Sequence, residues 1–315
     1  MISKELLNEA QAFDARILER VRNGLVPDLQ HAKKVDWFFN NPWRRPEYVD
    51  MIFGDYFRFA LKHVPAGNQK ILEIGAGLGH MCLEFARRGH SVTGIELSPE
   101  SVRIAKEHAA TCDRGNNFGS LEYINDDLMD WKPKEQFDMV CFFLTLHHFE
   151  DPSIVLNKVS SFLKPGGKII VIEPARDLFS YRDAAIVALI RVLLSFNNNW
   201  HTQVAVPSSE KEFHQLVSEI LNEYREAKDK NEAEQSPNDN SSFASHMLKA
   251  LELHFDHIEL SSGNTISPRM VGGIRGKSET ETLEIASFIK LFDEFATKEK
   301  LIEPGVIYYS GKLRR

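Results

Sequence analysis

The chain has 315 residues, 43% hydrophobic and 26% charged, an ordinary globular composition that supports one large domain with additions or two small ones. The formal net charge is −7 and no long basic run occurs, which argues against nucleic acid as a partner. No signal-peptide core opens the sequence, the most apolar helical stretch (183–196) is too short to span a bilayer, and the three cysteines lack metal-ligand spacing; a soluble, cytoplasmic protein without a metal is expected.

In chain order, residues 4–22 carry Leu6, Ala10, Phe13, Ile17 and Val21 at helical spacing. Trp37, Phe38, Phe39 and Trp43 follow in an aromatic stretch, and Pro46 suits the first turn of a helix reaching about His63. Lys70 to Ile74 reads as a buried parallel strand, followed by Gly75, Gly77 and Gly79 at every second position and then by a helical pattern through Met81, Cys82, Phe85 and Ala86. Strand, glycine turn and helix together form the layout of a nucleotide-binding crossover, in which a ligand approaches backbone that carries no Cβ. Further strand patterns cover 91–96, 120–125, 137–144 and 168–172, with helical patterns between them. Strands and helices alternating over 70–174 predict an α/β fold with a doubly wound, mostly parallel sheet and helices on both faces.

Beyond Pro174 the rhythm changes. Helical patterns occupy 178–196, 209–228, 244–255 and 280–297, and strand patterns occupy 257–261 and 305–313. Residues 228–242 hold almost nothing to bury and read as a mobile loop.

The glycine motif, Glu73-x-Gly75-x-Gly77-x-Gly79, resembles motif I of the class I S-adenosylmethionine-dependent methyltransferases. A dinucleotide fingerprint would place its third glycine on His80 instead. The resemblance extends in order over 70–174, through the acid Glu96 that ends the second strand, Asp126-Asp127-Leu128 after the third, and Leu163-Lys-Pro-Gly-Gly167 before the fifth. Leu146-His-His-x-x-Asp-Pro152 looks like the subgroup acting on small molecules. The resemblance implies seven strands, with the last two as a hairpin that here carries a helical insertion. It also implies S-adenosyl-L-methionine as cofactor and a methyl transfer to oxygen or nitrogen of a small, fairly apolar molecule. The implied cofactor contacts are Glu73, Gly75, Ala76, Gly77, Gly79, Glu96, Leu97, Asp126, Asp127, Leu128 and Leu144. Asp127 aligns best with the acid that meets the adenine amino group; Asp126 is its alternative.

Chemically, a carboxylate at Glu96 can accept hydrogen bonds from both hydroxyls of a ribose. His147 and His148, at the rim where donor and acceptor should meet, are the candidate general bases, because histidine titrates near neutrality. Strand alternation would turn at most one of them to the pocket, and an inward Leu146 favours His147. Trp200, His201 and Arg182 are candidate polar anchors. The expected organisation is a helical lid (1–64), the cofactor-binding core (65–174), a helical substrate cover (175–256) and the C-terminal strands with their insertion (257–315). A dinucleotide-dependent oxidoreductase and a non-catalytic cofactor-binding relative are the rival readings.

Overall fold

The computed structural model describes residues 14–225 and 243–314. The first part of the predicted 4–22 helix and the predicted loop at 228–242 lie outside the described residues.

Seven strands form one sheet in the order β3-β2-β1-β4-β5-β7-β6. They are β1 (Lys70–Ile74), β2 (Ser91–Glu96), β3 (Ser120–Asn125), β4 (Phe137–Phe143), β5 (Leu163–Pro174), β6 (Phe255–Gly263) and β7 (Val306–Leu313). The first five run parallel, and β7 is antiparallel to both β5 and β6. Strand order reverses between β1 and β4, which opens the crevice where such sheets bind ligands. The fold is therefore the α/β methyltransferase-like sheet that the strand and helix pattern predicts.

The helices are α1 (14–22), α2 (Pro46–Val49), α3 (Asp55–His63), α4 (His80–Arg87), α5 (Pro99–Thr111), α6 (Pro152–Ser160), α7 (Tyr181–Phe196), α8 (Glu210–Arg225), α9 (Ala244–His254) and α10 (Glu279–Lys298). None of the described helices is long and apolar enough to cross a membrane. Period-two burial splits the core into two layers. Ile71, Met139, Cys141 and Ile170 pack with Tyr56, Phe57, Phe85 and Val102 on one face. Leu72, Val140, Phe142 and Ile169 pack with Val155, Leu156, Met247 and Leu251 of α6 and α9 on the other.

Three boundaries differ from the sequence expectation. The single helix expected over 46–63 contains a π turn, Asp50–Gly54, between α2 and α3. The Pro165-Gly166-Gly167 turn is drawn into β5, whose register against β4 shifts between Phe137 and Met139. Such an irregularity lets a Pro-Gly-Gly segment lie against a strand without filling every ladder position. Residues 146–148, treated as strand continuation in the argument for His147, form a 3-10 turn, so side-chain alternation does not govern them.

The C-terminal insertion sits at the ligand-binding rim. Gly263 pairs with Val306, and Val306 with Pro174 at the end of β5, so residues 264–305 leave and rejoin the sheet at its functional edge. Asp293 of α10 fixes the exit by accepting the backbone N–H groups of Thr265, Ile266 and Ser267 at 3.0, 3.0 and 2.8 Å.

The N-terminal segment covers the glycine loop. Ile17, Leu25, Val35 and Phe38 bury against Leu78 of that loop and Ile104 of α5. Asp28 locks the segment down: it is fully buried and takes a bidentate pair from Arg87 of α4 at 2.8 and 2.7 Å. Burial by itself would raise the Asp28 pKa, but bonds from Arg87 and His108 outweigh it and hold the carboxyl well below the usual range. Asp28→Ala would leave Arg87 with Glu84 as its remaining carboxylate. Breaking a buried pair from one side costs about 3–5 kcal/mol, and Glu84 moderates this toward about 3 kcal/mol. Urea unfolding at neutral pH should show that loss; a value under about 1 kcal/mol would mean the N-terminal segment is not held by this pair.

Candidate functional site

The rim is built from the C-terminal ends of β1, β2, β4 and β5. The three glycines of the first loop all have positive φ, at 64°, 51° and 78° for Gly75, Gly77 and Gly79. Their surroundings differ. A Cβ on Gly75 would collide with the Thr145 side chain, and one on Gly79 with the Tyr123 ring, whereas one on Gly77 meets nothing within 4 Å. Gly75 and Gly79 thus serve the packing of the protein on itself, and Gly77 faces open space.

Glu96 braces that loop. Its Oε2 accepts the Gly77 N–H at 2.8 Å and its Oε1 accepts the Ser98 N–H at 2.9 Å. Desolvation raises its pKa, and these backbone donors oppose the rise. Each oxygen spends one lone pair on the backbone, so the carboxylate can still accept from a vicinal diol. Ala76 is buried beside it, its N–H donating to Ile95 at 3.1 Å. Leu97 follows Glu96 and its carbonyl accepts from Asn125 at 2.8 Å.

The acid pair after β3 is held by its own backbone. Asp126 Oδ1 accepts the Asp127 N–H at 2.8 Å, and Asp127 Oδ1 accepts the Met129 N–H at 2.8 Å. Leu128, which follows the pair, is buried in the sheet's second core layer.

Glu73 lies on the α4 side of β1. It is buried and accepts from the Cys82 thiol at 2.8 Å. Desolvation pushes its pKa up to about 8. A carboxyl raised in this way supports the fold most fully below its ordinary pKa near 4.5 and less as pH climbs through about 8, where the buried group ionises. Glu73→Gln removes that dependence. Between pH 5 and pH 8 the variant should gain at least about 1.4 kcal/mol on the wild type, the equivalent of one pKa unit. Parallel unfolding curves at the two pH values would contradict the raised pKa.

Beyond β4 the chain turns sharply. Leu144 has φ 55°, a left-handed conformation uncommon for leucine, and its N–H donates to Ile172 at 2.8 Å. The 3-10 turn Leu146–His148 follows. Its organiser is Glu173, the fully buried acid near the end of β5. Glu173 accepts the N–H groups of Thr145 and Leu146 at 2.8 and 2.7 Å and meets His147 Nδ1 at 2.6 Å. A carboxylate at Nδ1 fixes that nitrogen as the protonated one and assigns the proton-accepting role to Nε2. His147 is buried and His148 half-buried, with ring centroids 4.2 Å apart. Sequence reasoning does not single out Glu173. Its signal is the acid that closes the fifth strand pattern, the position that singles out Glu96 on the second.

Aromatic side chains wall the loop. Trp43 lies 5.1 Å from Phe53 of the π turn and 5.4 Å from His80, the residue after Gly79. Burial pulls the His80 pKa down to about 4, so its ring is neutral and serves as part of this wall. Of the candidate anchors, Arg182 faces Glu303 at 3.4 Å with more than half of its side chain exposed, while Trp200 is buried and bridges to Ile274.

A family model described as a methyltransferase domain matches residues 45–221. The chain belongs to this methyltransferase family. The match spans more than half of the sequence and includes β1 to β5 with the loops that follow them. Among curated relatives, the ubiquinone biosynthesis O-methyltransferase of Xylella fastidiosa is 30% identical over 134 residues, 42% of this chain and 53% of that protein. The mitochondrial ubiquinone biosynthesis O-methyltransferase of Schizosaccharomyces pombe is 34% identical over 112 residues, 36% of this chain and 40% of that protein. The chain thus spans about half the length of the curated relatives it matches. The crystal structure of the [4+2]-cyclase SpnF aligns at 15% identity with a TM-score of 0.53, over 98% of this chain and 95% of that one, a likeness of fold.

The cofactor of this methyltransferase is S-adenosyl-L-methionine. The residues fit it: Gly77 keeps open the volume a Cβ would fill, and Glu96 offers diol-accepting oxygens beside it. Family membership displaces the dinucleotide-oxidoreductase reading. If Glu96 takes both ribose hydroxyls, Glu96→Ala loses two charge-assisted hydrogen bonds, about 1.5–3 kcal/mol each, and the brace on Gly77. Affinity for S-adenosylhomocysteine should fall at least about tenfold by titration calorimetry; a loss under about threefold would place the acid's role elsewhere.

Proposed function

We propose that this methyltransferase moves a methyl group from S-adenosyl-L-methionine to an oxygen, or a nitrogen, of a small and fairly apolar organic molecule. The observation that carries the reading is the joint placement of the open Gly77 loop with its Glu96 brace and, on the neighbouring strand ends, the Glu173–His147 pair. The bound cofactor supplies a methyl group activated by its sulfonium. The chain's own part is to hold and orient. Gly75 to Gly79, Glu96 and Leu97 take the ribose and methionine portions, and Asp126, Asp127, Leu128 and Leu144 take the adenine and the adjoining rim. Trp43, Phe53 and Tyr56 keep water out. Holding two reactants in line can lower the barrier by about 7–11 kcal/mol.

For a hydroxyl acceptor, His147 Nε2 takes the proton while Glu173 compensates the charge that appears on the ring. Oxygen is the favoured acceptor, because the curated relatives are named O-methyltransferases. The described N-terminal segment (14–64), α7, α8 and the 264–305 insertion act as cover over the substrate. A cytoplasmic location belongs to the same proposal, supported by three unpaired cysteines.

Incubation with methyl-labelled cofactor and a panel of catechols, phenols and aromatic amines should label at least one phenolic oxygen. A protein that binds S-adenosylhomocysteine yet labels nothing across such a panel is a non-catalytic relative, and the proposal fails.

A further inference from the structure

Where the N-terminal segment meets the insertion, two arginines lack a carboxylate partner among the described residues. Arg44 follows Trp43, and Arg275 sits in the insertion that joins β6 to β7. Backbone contacts tie the two segments together. Arg275 donates to the carbonyls of Phe39 at 2.9 Å, Gly272 at 3.0 Å and Ile274 at 2.8 Å, and Arg44 reaches the Ile274 carbonyl at 3.5 Å. The Nε of Arg44 is buried and has no acceptor. Among the described residues neither guanidinium has a carboxylate within 4 Å. The acids in this neighbourhood are engaged elsewhere or stand off: Glu279 pairs with Arg45 and Lys34, Glu223 takes Arg191 at 2.6 and 2.8 Å, and Asp36 acts only at longer range.

The electrostatic consequence is visible on both sides of the pair. Desolvation and the Arg44 charge together pull the Arg275 pKa down to about 10. Desolvation, Arg275 and Arg191 lower that of His201, whose N–H donates to the Gly273 carbonyl at 2.8 Å. In a chain of net charge −7, a half-buried pair of like charges that carbonyls hold in place is unfavourable until an anion joins it. Guanidinium forks match the oxygens of carboxylates and phosphates, and partial burial strengthens the contact.

We propose that Arg44 and Arg275 form an anion subsite, where the N-terminal segment meets the insertion, that takes a carboxylate or phosphate group carried by the acceptor molecule. The inference rests on the proposed function for the identity of that molecule. The site itself stands on the two side chains and on the absence, among the described residues, of a carboxylate within 4 Å of either. The acceptor is then amphipathic: an apolar body against Trp43 and Phe53, with an acidic group toward the insertion.

The test is direct binding, separate from turnover. Benzoate and inorganic phosphate are titrated at low ionic strength into the protein saturated with S-adenosylhomocysteine. At least one should bind the wild type. Arg44→Gln and Arg275→Gln should each weaken that binding at least about tenfold, and the double variant should abolish it. Preference between the two probes tells carboxylate from phosphate. Arg275→Gln also gives up donors to the carbonyls of Phe39, Gly272 and Ile274, so each variant is titrated at a temperature where circular dichroism shows it folded. S-adenosylhomocysteine affinity should be unchanged in both. A wild type that binds neither probe, or a double variant that binds them equally well, overturns the subsite. A wild type that fails to bind S-adenosylhomocysteine overturns the proposed function and leaves the anion titration as the test of this site.

Discussion

His147→Ala is expected to slow methyl transfer to a phenolic acceptor by about 10²–10⁴, the range over which a positioned general base acts. The ring is held at Nδ1 by Glu173 at 2.6 Å, and the same carboxylate fixes the backbone of Thr145 and Leu146. That arrangement orients the imidazole before substrate arrives and stabilises its charged form once the proton moves. Binding of cofactor and acceptor should change much less than the rate. Single-turnover measurements across pH separate the two. The wild-type rate should depend on the protonation of this ring and therefore on pH, and the variant should lose that dependence. Because His147 is buried, the alanine leaves a cavity, so Glu173→Gln is the companion variant. It keeps the volume and gives up the negative charge, and it should lower the rate with a smaller loss of stability. His148→Ala is the third arm. If neither histidine variant slows the transfer step more than about fivefold, proton removal by this pair is excluded, and the reaction runs by orientation alone, as an amine that arrives deprotonated would allow.

The second large effect falls on the glycine loop. Gly77→Ala and Gly77→Val should reduce affinity for S-adenosylhomocysteine at least about a hundredfold, about 2.7 kcal/mol, while the protein stays folded. A Cβ at this position meets no protein atom within 4 Å, so it projects into the volume the ligand needs. The backbone cost is moderate: φ is 51°, and a non-glycine residue there adds on the order of 1–3 kcal/mol of strain, more for the β-branched valine. Gly75→Ala and Gly79→Ala provide the contrast. Their Cβ atoms would run into Thr145 and Tyr123, so these variants should melt early whatever their affinity for ligand. One loop therefore separates into two readouts, stability for the outer glycines and binding for the middle one. Unchanged affinity in folded Gly77→Ala would show that the cofactor does not approach this loop.

The glycine spacing, the acids that end strand patterns and the two-residue period of the apolar runs are local signals. They mark the strands near their observed bounds and put the acids and glycines around strand ends, whereas the strand order that sets the switch point between β1 and β4 belongs to the fold. A parallel strand buried on both faces must be almost continuously apolar, so an acid or a glycine at its end stands out in the sequence alone. Glu96 is legible for that reason, whereas Glu73 stands inside its strand and Asp126-Asp127 follow a mostly exposed edge strand, so those three are legible through their place in the motif order. Their partners are not. That Glu73 meets Cys82, that Glu96 holds Gly77, and that Gly77 but not its neighbours opens onto empty volume depend on side chains brought together from separate strands and helices.

The same holds for His147. Its sequence context suggests strand alternation, but a left-handed Leu144 and a 3-10 turn replace the strand, and Glu173, 26 residues away, decides which ring nitrogen carries the proton. The N-terminal cover and the C-terminal insertion are the parts least legible in the sequence. Amphipathic spacing says that their helices bury one face and leaves open against what. Only the fold brings Asp28 to Arg87 and Arg44 to the Ile274 carbonyl of the insertion, because ion pairs and hydrogen bonds between distant segments follow the geometry of the assembled chain and leave no periodic trace in it.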